Sequence, residues 1–133
     1  MSQNVSISPE LAAALDLAFG PVGCGLEAIC GGDPFGVVEA ARSLKLSGRI
    51  ATRWNPALLR DGLGSEGAQS CIDDARRNAL QEVTAESIAG DVAEVAAGLE
   101  MPVVFLKGAG LAMGRVIPSG SRGLADVDVL APE

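Results

Sequence analysis

The stretch Pro102-Val103-Val104-Phe105-Leu106-Lys107-Gly108-Ala109-Gly110, followed after a short gap by Gly120-Ser121-Arg122-Gly123-Leu124-Ala125-Asp126-Val127-Asp128-Val129-Leu130, decides how the chain is read. It spells a buried strand, a glycine turn, a short helix, a second glycine-rich loop and a second strand. Side chains alternate along a strand, so Asp126 and Asp128 share one face while Val127 and Val129 share the other. Two carboxylates about 7 Å apart along a strand can close on a divalent cation. A glycine turn nearby lets backbone N–H groups approach phosphate oxygens. The combination points to metal-dependent phosphate chemistry. Taken singly, each piece has a plainer meaning. Asp-Val-Asp-Val-Leu is also an ordinary half-exposed strand with acids in water and valines in the core. Glycines between a strand and a helix are also simple turn geometry. No Lys-Ser or Lys-Thr pair follows the glycines, which excludes a P-loop, and their spacing excludes the dinucleotide fingerprint.

The order of the pieces is more specific than any one of them. Val104-Phe105-Leu106-Lys107-Gly108-Ala109-Gly110-Leu111-Ala112, then Pro118, Gly120, Arg122 and Asp126-Val127-Asp128-Val129-Leu130, resembles the uncharacterised nucleotidyltransferase family of the polymerase-β-type superfamily. The helical region from about 33 to 99 also resembles that family's N-terminal helices. Ala109 stands where the superfamily usually has serine or glycine, and the gap to Asp126 is longer than usual. The resemblance implies an α+β chain. Residues 1–100 form a helical N-terminal region, and residues 101–133 the first strands of a polymerase-β-like nucleotidyltransferase α/β core. That core is truncated at the C-terminus, because the superfamily's further strands, one bearing a third acid, are missing. The chain is accordingly expected to be a fragment, or to draw the missing strands from a partner protein.

For the complete protein the resemblance implies transfer of a nucleoside monophosphate from an NTP to an acceptor hydroxyl, with pyrophosphate release. Asp126 and Asp128 would be the catalytic, metal-binding acids, holding two magnesium ions, with manganese as the alternative metal. Backbone amides around Gly108, Ala109 and Gly110 would cradle phosphates. Arg122 would either balance phosphate charge or pair with a strand aspartate. Lys107 would either contact phosphate or stand exposed at the strand end. The alternative function is a catalytically incomplete module that binds nucleotide or a protein partner.

Composition bounds these readings. The 133 residues suffice for one small domain with a core, and a 48% hydrophobic fraction marks a globular chain. Mean hydropathy is +0.31 and the pI is about 4.5. A net charge of -7 argues against a general nucleic-acid-binding surface, although a local metal can still bring in a nucleotide. Cys24, Cys30 and Cys71, with no histidine, fit neither a disulfide framework nor a zinc site, and read as buried free thiols of a reducing compartment. No secretory signal and no apolar run of spanning length are visible, so a cytoplasmic protein without membrane contact is expected.

Along the chain, a loose arm leads to Ser8-Pro9-Glu10, an N-cap, a first-turn proline and an acid, opening a helix over 11–19. Residues 20–33 read as a glycine-rich connection with a short helix near 26–29. Asp33-Pro34 opens a second helix to about Leu44, with Val37, Val38, Ala41 and Leu44 on one side, which Ser47-Gly48-Arg49 breaks. A third helix is expected over 50–59 around Trp54, a core anchor, with Arg49, Arg53 and Arg60 solvated. Asp61-Gly62-Leu63-Gly64-Ser65 reads as a loop. A long helix over 68–99 turns Ile72, Ala75, Ala79, Val83, Ile88, Val92, Val95 and Leu99 inward. Asp73, Asp74, Arg76, Arg77 and Glu82 are expected on its solvated face, with a substrate phosphate as the alternative partner of Arg76 and Arg77, and Gly90 at a bend or close contact.

Overall fold

A computed structural model describes residues 6–22, 32–124 and 126–133. The expected short helix at 26–29 lies outside them, as do Cys24 and Cys30. The elements are α1 (Pro9–Phe19), α2 (Pro34–Ser43), α3 (Ser47–Arg53), α4 (Pro56–Gly98), β1 (Val104–Leu106), α5 (Lys107–Met113) and β2 (Asp128–Leu130). The order strand, helix, strand at the end of the chain matches the reading of the sequence, but β1, expected to be buried, exposes Val104 and Leu106. The α/β core does not match that reading. Helices take 66% of the described residues, and the only described strands are β1 and β2, paired antiparallel. With three residues each, these strands bury too little to anchor a sheet. The core is instead helical, and no polymerase-β-like core is found among the described residues.

Local chemistry sets the helix starts. Ser8 Oγ accepts from Leu11 N at 3.2 Å and Asp33 caps Phe35 N, each ahead of a first-turn proline, as the sequence suggests. A third such start was not anticipated. Asn55 Oδ1 accepts from Ala57 N at 2.8 Å, and Pro56 holds Asn55 extended. Therefore no helix runs over 50–59. One ends at Arg53 and the next begins at Pro56. Ser47-Gly48-Arg49 starts α3 rather than breaking a helix. The expected loop at 61–65 is helical apart from Gly64, whose φ of 76° kinks α4.

Three helices end in the same way. Lys45, Glu100 and Arg115 each adopt a left-handed φ of 52–58° just past the helix. Behind each lies the paired hydrogen-bond pattern of a Schellman turn, as in Leu46 N to Ala41 O and Lys45 N to Arg42 O.

The main core packs Ala14, Leu17, Val37, Ala41, Ile50 and Leu59 with their neighbours on α1–α4. Trp54 is buried there, its Nε1 donating to Leu17 O at 2.8 Å, as expected of an anchor. Arg49 and Arg53 are not free solvent-facing groups. Arg49 Nε donates to Ala18 O at 2.8 Å, and Arg53 donates to Leu17 O at 2.9 Å and to Gly20 O. The last carbonyls of a helix lack intrahelical partners, and these arginines supply them.

Before its kink α4 buries Leu59 and Leu63; beyond it the buried apolar residues are the small ones, Ala68, Cys71, Ala85, Ala89 and Ala96, whereas Val83, Ile88, Val95 and, past the helix end, Leu99 are exposed, and Leu44 after α2 is exposed as well. Gly90 has open space around it and lies at neither a bend nor a close contact. A smaller cluster joins Ala85, Ala112, Leu124 and Val127. The 118–124 loop is strapped to α4 by side chains one helical turn apart. Asn78 Nδ2 donates to Gly120 O at 3.0 Å, Gly120 N donates to Glu82 Oε2 at 3.2 Å, and Leu124 N donates to Gln81 Oε1 at 3.0 Å. Gly48 packs there against the Asn78 side-chain amide and the Gly120 carbonyl, and Gly120 against the α4 backbone at Ala75. A Cβ at residue 48 would strike Gly120 O and the Asn78 amide, and one at Gly120 would lie 2.8 Å from Ala75 O. No described helix is long and apolar enough to cross a membrane.

Candidate functional site

In the antiparallel β1–β2 pair, whose strands are joined through α5 and the 118–124 loop, Val104 faces Leu130 and Leu106 faces Asp128. That register sets the end of β1, where Lys107 begins α5, beside the start of β2. Lys107 takes a left-handed φ of 55° and is not a helix end, so its backbone is strained at the strand-to-helix turn. Its Nζ lies 2.9 Å from Asp128 Oδ2. The hydrogen bond to Asp128, then that carboxylate's charge, raise the Lys107 pKa, with the charge of Asp126 adding to the effect. Lys107, Asp126 and Asp128 therefore share one local field.

The strand expected over 126–130 begins only at Asp128. Asp126 precedes it, exposed, and lines a cleft of about 450 Å³ with Arg77, Leu80, Gln81, Thr84 and Ile88. Asp128 is half-buried at the strand pair. As ligands, the two carboxylates are hard oxygen donors of the kind magnesium takes. Lys107 would have to leave Asp128 for a cation to bind there. No cluster of three or more metal-ligating side chains occurs among the described residues.

The glycine turn is packed closed. Gly108 and Ala109 are buried. A Cβ on Gly108 would run into the Leu124 side chain, and one on Gly110 into Phe105 O. Steric room accounts for both glycines. Arg122 is exposed, and its Nε flanks the Gly108 backbone. Among the described residues it forms no ion pair with Asp126 or Asp128. Of the residues singled out from the sequence, Lys107 and Asp128 are in direct contact, Asp126 lies within reach of their charges, and Arg122 borders the turn.

A second polar centre was missed. Asp74, expected in solvent, is buried. Its Oδ2 accepts from Ser47 Oγ at 2.7 Å and Arg42 Nε at 3.0 Å, and its Oδ1 from Arg77 Nη1 at 3.2 Å and Arg42 Nη2 at 3.4 Å. The signal was available in the spacing. Ala68, Cys71 and Asp74 follow one another at three-residue steps, which puts Asp74 on the inward face. Cys71, a buried free thiol as expected, is pushed up to about 11 by burial and by the Asp74 charge, partly offset by Arg42. Comparison of the chain with protein-family models, with curated proteins and with solved structures gave no match.

Proposed function

We propose that the protein is a magnesium-dependent nucleotidyl-transfer module that uses an NTP. The observation that supports this reading is the convergence of Lys107, Asp128 and Asp126 at one end of the β1–β2 pair, in the motif order of nucleotidyltransferases. The acceptor hydroxyl oxygen would attack the α-phosphorus. The bond from that phosphorus to the bridging oxygen of pyrophosphate would break, and the hydroxyl proton would pass to solvent or a nearby base. Asp126 and Asp128 would hold the magnesium, which when bound would neutralise phosphate charge. Lys107 is the counter-ion that Asp128 would release, freeing an ammonium for phosphate oxygens. Exposed Arg122 would offer its guanidinium to the same oxygens. An NTP-using reaction of this kind belongs in the cytoplasm.

A second reading is an interaction module without turnover. It is favoured by Val104 and Leu130, which are exposed as a facing pair on the two-stranded sheet.

Melting curves with ATP, GTP, CTP and UTP, each with and without magnesium, on the wild type and on Asp126→Ala, test the first reading, coupled to a pyrophosphate-release assay. A magnesium-dependent rise in Tm that is lost in the variant, with pyrophosphate released, is the expected result. A rise without pyrophosphate would leave binding alone. A flat response from a folded protein would overturn the nucleotide site.

A further inference from the structure

We propose that Arg42, Lys45 and Arg77 form a binding pocket for a phosphoryl group, beside the cleft that Asp126 lines but drawing on neither Asp126 nor Asp128, and independent of metal. They line a cleft of about 410 Å³ between the end of α2 and the middle of α4, with Asp74, Ser47 and Asn78. Three cations against one carboxylate make the lining locally positive by two charges, in a protein whose net charge is -7. A cationic concavity on an acidic protein selects for anions.

The cations are also held in place. Asp74 grips Arg42 through Nε and Nη2 and Arg77 through Nη1, and Ser47 steadies the carboxylate from behind. A guanidinium carries five N–H donors. Arg42 commits two sites and Arg77 one to Asp74, and the remaining donors have no protein partner among the described residues. Arginines already fixed by a buried carboxylate lose little further freedom when they take up a ligand, and their planar donor forks match phosphate oxygens. Lys45, exposed on its Schellman turn, adds a movable point charge.

The cleft is larger than a free phosphate ion. Through Arg77 and Gln81 it adjoins the cleft walled by Leu80, Thr84 and Ile88. The pocket therefore fits the phosphoryl group of an ester whose apolar body lies along α4 better than it fits the bare ion.

The test measures Tm in EDTA at constant ionic strength, with sodium chloride, sodium phosphate or phenyl phosphate. Excluding divalent metal keeps the outcome separate from the fate of the nucleotidyl-transfer reading. Phosphate should raise Tm above the chloride control, and phenyl phosphate should raise it further, by roughly 4 °C at ten times its Kd. Lys45→Gln and Arg77→Gln, both at exposed positions, should fold and lose the rise. No rise in the wild type, or an undiminished rise in both variants, would overturn the proposal. Equal responses to phosphate and phenyl phosphate, both lost in the variants, would keep the anion pocket and overturn the apolar extension.

Discussion

Lys107 Nζ sits 2.9 Å from Asp128 Oδ2, tying the left-handed turn after β1 to the first residue of β2. The pair holds the Lys107 pKa above its ordinary 10.5. A raised lysine pKa means that the folded state binds the proton more tightly. The stabilising contribution is complete below the ordinary lysine range and is lost as pH rises through the folded value. In an NMR titration of methyl-labelled lysines, Asp128→Asn should return the Lys107 midpoint towards its ordinary value. Sodium chloride at 1 M should shrink the shift in the wild type, since both partners reach water. An unchanged midpoint in Asp128→Asn would remove the ion pair from solution.

Cys71 gives a pH signature of the same sign from a different cause, burial of a thiol. Its thiol is moved from 9.0 to about 11, so between these values the folded protein keeps a proton that the unfolded chain gives up. Stability is full below pH 9 and falls as pH rises towards 11, by about 2–3 kcal/mol in all. Urea melts of wild type and Cys71→Ala across that range should diverge in slope, the wild type losing more. At pH 8 the native thiol should resist alkylation, and mass spectrometry of the Cys71 peptide should show labelling only after unfolding.

Glu100 and Arg115 each occupy a left-handed position that glycine normally fills at a helix end. The conformation costs an L-residue about 1–2 kcal/mol, and glycine's extra unfolded freedom offsets about 0.5–1 of that. Glu100→Gly and Arg115→Gly should therefore each stabilise the protein by about 0.5–1 kcal/mol in chemical denaturation, and additively, since they sit on different turns. A loss of stability in either variant would contradict the turn geometry.

Asp74→Ala should destabilise the protein. Removing one member of a fully buried ion pair costs about 3–5 kcal/mol, but Arg42 and Arg77 retain 44% and 63% side-chain exposure and can turn to water. What remains is the orphaned Ser47 hydroxyl and the space left behind, about 1–3 kcal/mol. Arg77→Gln should cost less than 1 kcal/mol, as expected of an exposed partner. Equal losses for the two variants in urea melts would show that Asp74 is not the hub.

Helix beginnings were the most legible part of the chain, because Ser8-Pro9 and Asp33-Pro34 carry their capping chemistry locally. Asn55-Pro56 carries the same signal, but it falls inside the 50–59 segment read as one helix around Trp54. The ends of α1, α2 and α4 fell within a residue of the reading, at Phe19, Ser43 and Gly98, although the left-handed turns at Lys45 and Glu100 that close α2 and α4 carry no glycine to announce them. The loop at 61–65 was misread because helix can continue on either side of a single left-handed glycine. Lys107, Asp126 and Asp128 were found from strand alternation and motif order, although the strand itself is shorter than expected. Asp74, Arg49 and Arg53 were placed in solvent because charge alone suggests solvent. Only the packed structure shows which carbonyls and hydroxyls need those charges.

The close seat of Gly48 against the Asn78 amide and the Gly120 carbonyl makes α3 a gauge block for the carboxylate segment. A single methyl at residue 48 would act as a wedge. It would press on the Gly120 carbonyl and the Asn78 amide, and lift the strap that leads on to Asp126. The spacing between the helical half of the molecule and its acidic strand pair is thus set by the absence of a side chain. Substitutions in a short helix that touches neither aspartate could then retune where both of them sit.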